Sequence, residues 1–433
     1  MASPAPQGAA PPAICLLDCR VLRVRLDAAS GAAEAELGAP GAVLVARGRV
    51  AAVAEGGAHE PGVLRLVEQA HEVVQCGGLT LLPGLLDAHV HVTASSADLR
   101  APAALAPSLV ALGRAPSVGG VLLRGFTTVR ECGGADWGIA QALAEGSVEG
   151  PTLLFCGKAL SQTGGHGDFR GRGEQRLPSC PCCDATIGRV CDGDREVRLA
   201  VRDEVRKGAT HIKIMASGGV ASPTDRLANL QFSEAELAAV VEEARNAGVY
   251  VCAHAYTAEA VARAVRAGCA SIEHGNLADD ACLELMRQRG CWLVPTLITY
   301  ERLRVDGARS GMPQELVNKV GDLLEAGVDA LRRADRAGVP VAYGSDLLGL
   351  MHGAQAQGIA LHLRAQPPAA VLAALTISPA RLFRLEGEVG IVAPGARADL
   401  LLVKGDVLND PALLADEDNL RIIIKAGRIV KRL

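Results

Sequence analysis

Short apolar runs alternate with amphipathic stretches through the middle of this 433-residue chain. Helices are predicted between the apolar runs, and one begins after Ser233, has Glu234 and Glu236 in its first turn and ends near Gly248. Strands are predicted at the run that ends in His89 and at residues 127–130, 152–155, 211–215, 250–252, 270–272, 292–294 and 340–343. Strands and helices that alternate in this way predict an α/β fold, the (β/α)8 TIM barrel.

Both ends of the chain show a different pattern, in which short segments of alternating apolar and polar residues are separated by Gly, Pro and Asp. This pattern favours a small β-domain over helices. Neither end is long enough to bury a core alone, so we predict that the two ends together form one small β-sandwich domain. The predicted organisation is a disordered N-terminal tail at 1–12, a composite β-sandwich at 13–80 and 386–433, and the barrel at 81–385.

Composition narrows the class of protein. Hydrophobic residues make up 49% of the chain and aromatic residues only 3%, which predicts a core of Ala, Val and Leu. The net charge of −4 gives no electrostatic reason to expect nucleic acid or a membrane as partner. The 13 cysteines are odd in number and spread along a large hydrophobic chain, so we interpret them as reduced thiols in a cytoplasmic protein. No signal peptide or spanning segment is apparent in the sequence.

Side chains suited to metal binding follow the predicted strands. His89 and His91 are two residues apart, so on a strand both imidazoles point to the same face. On the predicted strand 211–215, His211 and Lys213 are also two residues apart and share a face. Strand ends are where the active sites of barrels form. One pocket is therefore predicted to collect His89, His91, Lys213, His254, His274 and Asp346.

These donors fit two borderline divalent ions, and zinc is the favoured choice. An ammonium suits a metal poorly, but a lysine that has reacted with carbon dioxide becomes an anionic carbamate that can bridge two cations. Paired metals acidify a bridging water, so hydroxide can attack a carbonyl that one metal polarises. Asp346 would orient this hydroxide, accept its proton and pass it to the leaving nitrogen.

Several motifs then occur in an order that resembles the amidohydrolase superfamily. They are Pro-Gly-Leu-Leu-Asp-Ala-His-Val-His, Ile-Lys-Ile-Met-Ala-Ser-Gly-Gly-Val, Ala-His-Ala-Tyr, Ile-Glu-His-Gly and Gly-Ser-Asp. The resemblance runs from about residue 13 to the C-terminus and is to the imidazolonepropionase-like branch, which includes Xaa-Pro and Xaa-Arg dipeptidases and ochratoxinase. It implies His89, His91 and Asp346 on one metal, His254 and His274 on the other, and carboxylated Lys213 between them. It also implies the β-sandwich, and by analogy a homo-oligomer.

Two further residues are candidates for substrate binding. His166 lies in a Gly-rich loop and is predicted to bind a substrate carbonyl or terminal carboxylate; the alternative is a solvated turn residue. Tyr256 shares the face of His254 and would bind a carboxylate or an oxyanion, unless it is a buried core tyrosine. His211 is interpreted as a core histidine. Free thiols are favoured over a structural zinc site at Cys180, Cys182, Cys183 and Cys191.

The predicted function is hydrolysis of the amide or peptide bond of a small molecule, either a dipeptide or an N-acyl amino acid, as in Xaa-Pro dipeptidase or ochratoxinase. Hydrolysis of a cyclic amide, of the imidazolonepropionase type, is the nearest alternative. A non-catalytic assembly scaffold is an alternative of another class, but scaffolds lack several of the ligands that this chain retains. No acidic residue stands out as a selector of the substrate side chain, although Asp168, Asp184 and Asp225 lie in candidate loops.

Overall fold

The computed structural model describes residues 11–27, 31–174 and 185–433. They fall into two compact units. The first, here called the terminal unit, comprises the described residues up to Leu86 together with Val121–Thr128 and Pro367–Leu433. The second, the central unit, comprises Asp87–Gly120 and the described residues of Val129–Gln366. The domain boundaries given above stay predictions.

The secondary structure is given in chain order. The strands are β1 (Ile14–Leu26), β2 (Ala33–Ala46), β3 (Arg49–Glu55), β4 (Glu72–Gln75), β5 (Thr80–Pro83), β6 (Leu85–Val90), β7 (Phe126–Glu131), β8 (Thr152–Phe155), β9 (Ala159–Ser161), β10 (Gly188–Val190), β11 (His211–Met215), β12 (Tyr250–Thr257), β13 (Ser271–Leu277), β14 (Trp292–Val294), β15 (Leu400–Val403), β16 (Leu420–Lys425) and β17 (Arg428–Arg432).

The helices are α1 (Pro61–Glu68), α2 (Pro107–Leu123), α3 (Trp137–Glu145), α4 (Gly193–Arg206), α5 (Glu234–Asn246), α6 (Ala258–Ala267), α7 (Asp280–Arg289), α8 (Leu297–Asp306), α9 (Gln314–Asn318), α10 (Leu323–Ala337), α11 (Gly358–Leu363), α12 (Pro368–Leu375) and α13 (Ile377–Leu382). Short 3₁₀ helices span Ala101–Ala104, Gly349–Gln357 and Pro411–Ala415.

The terminal unit contains one sheet made from both ends of the chain. Its strand order is β17-β16-β15-β5-β1-β2-β3, and β4 pairs with β1. The two chain ends meet where β15 runs antiparallel to β5, with Leu401 opposite Leu82. Alternation along β1 sends Ile14 to one hydrophobic cluster and Cys15 to another. The two-layer sandwich stays a prediction.

One element of the terminal unit differs from the all-β expectation. Helix α1 begins with Pro61, which suits a first helical position because its missing N–H has no partner there in any helix. Val63 and Leu66 are buried, and both join a hydrophobic cluster with residues of β1 and β2. Its two buried residues, three apart, make the pattern of one helical face, which is too short to recognise against a background of strands.

Parallel strands dominate the central unit and confirm the predicted α/β class. One sheet has the order β10-β9-β11-β12-β13-β14, and its pairs are parallel. Another has the order β6-β7-β8. Among the described residues, the eighth predicted strand makes one parallel bridge, from Val341 to Leu293. Pro340 precedes the bridge and has no N–H to donate, which accounts for the short pairing. The closed barrel stays a prediction.

Local sequence signals explain the helix that follows β11. The Ser233 side chain accepts from the backbone N–H of Glu236, and Glu236 accepts from the backbone N–H of Ser233. This capping box satisfies donors that a helix start leaves free. Gly248 has φ of 75°, close to the predicted end. No helix in the described part of the chain is long and apolar enough to cross a membrane.

Candidate active site

The predicted metal ligands lie together at strand ends of the central unit. His89 is in β6, and His91 directly follows the last residue of that strand. The period of two therefore turns both imidazoles to one side, as predicted. The other positions are Lys213 on β11, His254 on β12, His274 on β13 and Asp346 after the eighth predicted strand.

Asp346 lies beside both histidines at the end of β6, and Lys213 lies beside one of them. Its Oδ1 atom lies 3.3 Å from Nε2 of His91 and 3.5 Å from Nε2 of His89. The Nζ atom of Lys213 lies 3.5 Å from the same Nε2 of His89. Donor atoms of His89, His274 and Asp346 all lie within 4.8 Å of one another. Such a group of oxygen and nitrogen donors suits a divalent cation.

His254 and His274 form the other side of the cluster. Their ring centroids are 4.6 Å apart, and His274 is 5.2 Å from His89 in the same measure. The structure therefore brings all six predicted ligands into one contiguous group. We call this group the strand-end cluster.

Backbone strain accompanies two members of the strand-end cluster. His274 has φ of 76° and Asp346 has φ of 51°. Residues other than glycine rarely adopt this left-handed conformation, and where they do the position is often functional. At His274 the twist lets two neighbouring side chains, Glu273 and His274, both contact the cluster, although an ordinary strand would send them to opposite faces.

Each histidine of the cluster has one ring nitrogen fixed by a hydrogen bond. The bonds are His89 Nδ1 to Glu273 Oε2 (2.8 Å), His91 Nδ1 to Gly133 O (2.9 Å), His254 Nε2 to Gly218 O (3.0 Å) and His274 Nδ1 to Thr296 Oγ1 (2.7 Å). Second hydrogen bonds of this kind are what orient histidine ligands around metals. The groups that hold these nitrogens all lie outside the six predicted ligands.

Burial keeps most of these imidazoles neutral. It lowers the pKa of His89, His254 and His274 well below the usual range of histidine. At His91 burial acts in the same direction, but the hydrogen bond and charge of Asp346 outweigh it and the pKa is raised. Neutral imidazole is the form that binds metals, so the donor set fits borderline divalent ions such as zinc.

The order of these residues along the chain is shared with a known family. The profile described as the amidohydrolase family matches residues 80–430. The chain belongs to the amidohydrolase family. It is a hydrolase that acts on amide or peptide C–N bonds, and enzymes of this family are generally metal-dependent.

Three relatives of this amidohydrolase are informative. Ochratoxinase from Aspergillus niger is 30% identical over 386 residues, which cover 85% of this chain and 78% of that protein. A crystal structure of a prolidase complexed with N-methylphosphonate-L-proline is 42% identical with a TM-score of 0.89, covering 97% of this chain and 100% of that one. A Xaa-Pro dipeptidase with methionine bound in its active site is 26% identical with a TM-score of 0.82, covering 97% and 100%.

In this amidohydrolase both predicted substrate residues lie beside the strand-end cluster. The His166 ring stacks on His254 at 4.2 Å between centroids. Tyr256 stacks on His274 at 5.2 Å, and its hydroxyl accepts from Tyr300 at 3.1 Å. His166 is thus no solvated turn residue, while Tyr256 is fully buried and has a polar neighbour.

Sequence reasoning missed the buried pair that supports His89. Glu273 Oε2 contacts His89, and Glu273 Oε1 accepts from Nη2 of Arg130 at 2.7 Å. Arg130 also donates to Ser271 Oγ and to the carbonyl of Ala88. In the sequence, the features that pointed to this pair were an arginine within an apolar run and a glutamate next to His274. Both charges are fully buried, which only a close pairing makes tolerable.

Other candidate residues are already engaged within the described structure. His211 contacts the carbonyl of Glu131 at 3.1 Å and Thr210 Oγ1 at 3.0 Å, as expected for a core histidine. Asp168 is paired with Arg170 at 2.6 Å, so it is not free to select a basic substrate. Every cysteine in the described residues is free, including Cys191. The sites predicted at Cys180, Cys182, Cys183 and Asp184 lie outside the described residues.

Proposed function

We propose that this chain is a binuclear metal-dependent amidohydrolase that cleaves the amide bond of a dipeptide or N-acyl amino acid. The observation that carries the proposal is the strand-end cluster. It combines a carboxylate and a lysine with four histidines, each of which has one ring nitrogen held by a hydrogen bond to a group outside the six predicted ligands. In the proposal His89, His91 and Asp346 hold one metal, His254 and His274 hold the other, and carboxylated Lys213 lies between them. Zinc suits these donors best.

The metals would acidify water near neutral pH and polarise the scissile carbonyl. Asp346 supplies the proton transfer. Burial would raise the pKa of its carboxyl, but the neighbouring His89 and His91 lower it overall, so the group is ionised and able to accept a proton. In the proposed reaction this carboxylate accepts a proton from the attacking water and delivers it to the leaving nitrogen.

The surroundings of Lys213 support a carbamate. The side chain is 1% exposed, and no carboxylate oxygen of the described residues lies within 4.0 Å of its Nζ. Burial lowers the pKa of Lys213, whereas the nearby charges of Glu273 and Asp346 raise it, so the position already favours opposite charges around the lysine. Once the side chain has lost a proton, its neutral amine can attack carbon dioxide and release a second proton, which leaves an anionic carbamate that metal ions can pair with.

The relatives support a substrate with an amino acid on the leaving side. A prolidase 42% identical to this chain was crystallised with N-methylphosphonate-L-proline, and ochratoxinase is 30% identical. We propose that His166 and Tyr256, which stack on His254 and His274, contact the carbonyl or the carboxylate of that substrate.

We further propose that the strands of residues 81–385 close into a (β/α)8 barrel. In support, the backbone N–H of Ala88 in β6 donates to the carbonyl of Tyr343 at 2.7 Å. The N–H of Asp346 donates to the carbonyl of His89 at 2.8 Å. These bonds join the first and the last of the predicted strands, which is where a barrel must close.

A substrate panel tests this proposal. The zinc-loaded enzyme is assayed with Xaa-Pro and Xaa-Arg dipeptides, N-acyl amino acids and cyclic amides of the imidazolone type. We expect release of the free amino acid from a linear substrate. Opening of a cyclic amide without any cleavage of linear substrates would contradict the linear-substrate proposal. A lack of turnover in the metal-loaded protein across the panel would favour the scaffold alternative.

A further inference from the structure

A group of polar side chains contacts His166 at the Nδ1 edge of its ring. Ser222 Oγ lies 2.7 Å from Nδ1 of His166, and Asp225 Oδ2 lies 3.7 Å from the same nitrogen. Ser222 in turn is hydrogen-bonded to Asp225 Oδ1. We call His166, Ser222, Asp225 and Gln231 the loop cluster, since all four lie in loops. All four are buried.

The hydrogen bonds of Asp225 determine which atom donates. Its Oδ2 accepts from the backbone N–H of Gly219 at 3.2 Å and from Nε2 of Gln231 at 3.0 Å. Lys319 lies 3.8 Å from its Oδ1. The Gly219 N–H and the Gln231 amide N–H can only donate, so both contacts make the Asp225 carboxylate the acceptor. The Ser222 hydroxyl must therefore donate to Asp225, and its oxygen is left to accept from His166 Nδ1–H.

The loop cluster also fixes the position of the ring. Gln231 Oε1 accepts from the backbone N–H of His166 at 2.8 Å, while its amide nitrogen binds Asp225. Lys319 Nζ donates to the carbonyls of Ser222 and Asp225 at 2.7 and 2.9 Å. Gly219 lies so close that a Cβ there would collide with the imidazole. Little freedom remains for the ring to turn over.

We propose that Ser222 and Asp225 are positioning residues that hold His166 as the Nδ1–H tautomer, with Nε2 as the nitrogen available to substrate. Nε2 has no hydrogen-bond partner within residues 11–27, 31–174 and 185–433. In this tautomer Nε2 carries the lone pair and accepts a hydrogen bond; it can donate to a substrate oxygen only when the ring carries a second proton. A carboxylate that orients a histidine in this way acts through it and never touches the substrate. The inference rests on the proposed function only for the role of His166.

Neutron diffraction from the metal-loaded protein reads the tautomer directly. We expect a deuteron on Nδ1 of His166 in the wild type. In Ser222→Ala the ring loses this acceptor, and the deuteron is expected to be absent from Nδ1 or shared between the two nitrogens. A wild-type ring with its only deuteron on Nε2 would overturn the proposal, whatever the variants do.

Kinetics of matched variants provide the second measurement. We expect Ser222→Ala and Asp225→Asn to lower kcat/KM by about 10–100-fold with unchanged metal content, the size typical of supporting residues. Ser222→Thr keeps the hydroxyl and should retain activity. Thr224→Val is the matched control, because the Thr224 hydroxyl in the same loop is buried without a hydrogen-bond partner among the described residues.

The kinetic results also show whether the Ser222 hydroxyl positions His166 or not. If Ser222→Ala behaves like Thr224→Val, or if Ser222→Thr loses as much activity as Ser222→Ala, the hydroxyl has no positioning role. The failure of the proposed function has a different signature, because no panel substrate would then be turned over while the deuteron on Nδ1 remained visible.

Discussion

The strand-end cluster and the loop cluster meet where His166 stacks on His254, yet they are built in different ways. In the strand-end cluster the backbone of parallel strands places the side chains, and buried charges such as Arg130 and Glu273 hold them. In the loop cluster one imidazole is held by side chains of the loop between β11 and α5, and a glycine leaves room for it. The first arrangement suits metal ions, which need fixed donors. The second arrangement suits substrate binding, because loops vary among enzymes of one fold and so can bind different substrates.

The largest expected effect comes from the carboxylate at the centre of the strand-end cluster. Asp346→Asn replaces the proposed proton carrier by an amide that cannot accept the proton. We expect kcat to fall by about 10²–10⁴-fold, the usual contribution of general acid–base catalysis. Steady-state kinetics measure this, with metal analysis of the same samples. A variant that retains its metal and its kcat would remove Asp346 from the reaction.

Glu273→Gln tests whether the strand-end cluster depends on its buried charges. The amide would face His89 Nδ1 or Arg130 with a donor where an acceptor is needed. We expect about 10–100-fold weaker metal binding, as for other residues that orient metal ligands. Competition with a chelator measures the affinity. Glu284→Gln is the matched control, since Glu284 pairs with Arg287 at the surface. Equal affinities in both variants would contradict this role.

Gly219→Ala tests the loop cluster by filling the space between the Gly219 backbone and the imidazole of His166. The new methyl group would push the imidazole away, at a cost of about 1–3 kcal/mol in the free energy of unfolding. We expect a loss in kcat/KM of roughly 10–100-fold, because small displacements of positioning groups are costly. Metal content should stay unchanged. Gly353→Ala, where a Cβ meets open space, is the control. Loss of metal in Gly219→Ala would show that the two clusters are one unit.

The smallest effect is expected where the chain leaves the loop cluster and enters α5. Ser233→Ala removes half of the capping box and should lower the free energy of unfolding by about 1 kcal/mol. Kinetic constants and metal content should not change, because the cap serves the helix alone. Denaturant unfolding measures the difference. A change in kcat/KM would indicate that the start of α5 also positions the loop cluster.

The contrast also explains what could be predicted from the sequence. The period of two along β6 and β12 was enough to place His89, His91 and His254 together. The pairing of Glu273 with His89 was not predictable, because ordinary alternation sends Glu273 and its neighbour His274 to opposite faces, and only the positive φ at His274 brings both toward the cluster. Ser222 and Gln231 are nine residues apart in a loop without periodicity. Their contacts with His166 arise only from the folded loop, which no local pattern encodes.

The most direct test of the account is the metal content of the wild type and Lys213→Ala, measured by elemental analysis beside hydrolysis of an amino-acid amide substrate. We expect two metal ions per chain in the wild type. We expect Lys213→Ala to lose metal and activity together, while circular dichroism shows a folded protein. A folded Lys213→Ala variant with full metal content and full activity would contradict the carbamate bridge and the binuclear centre built on it.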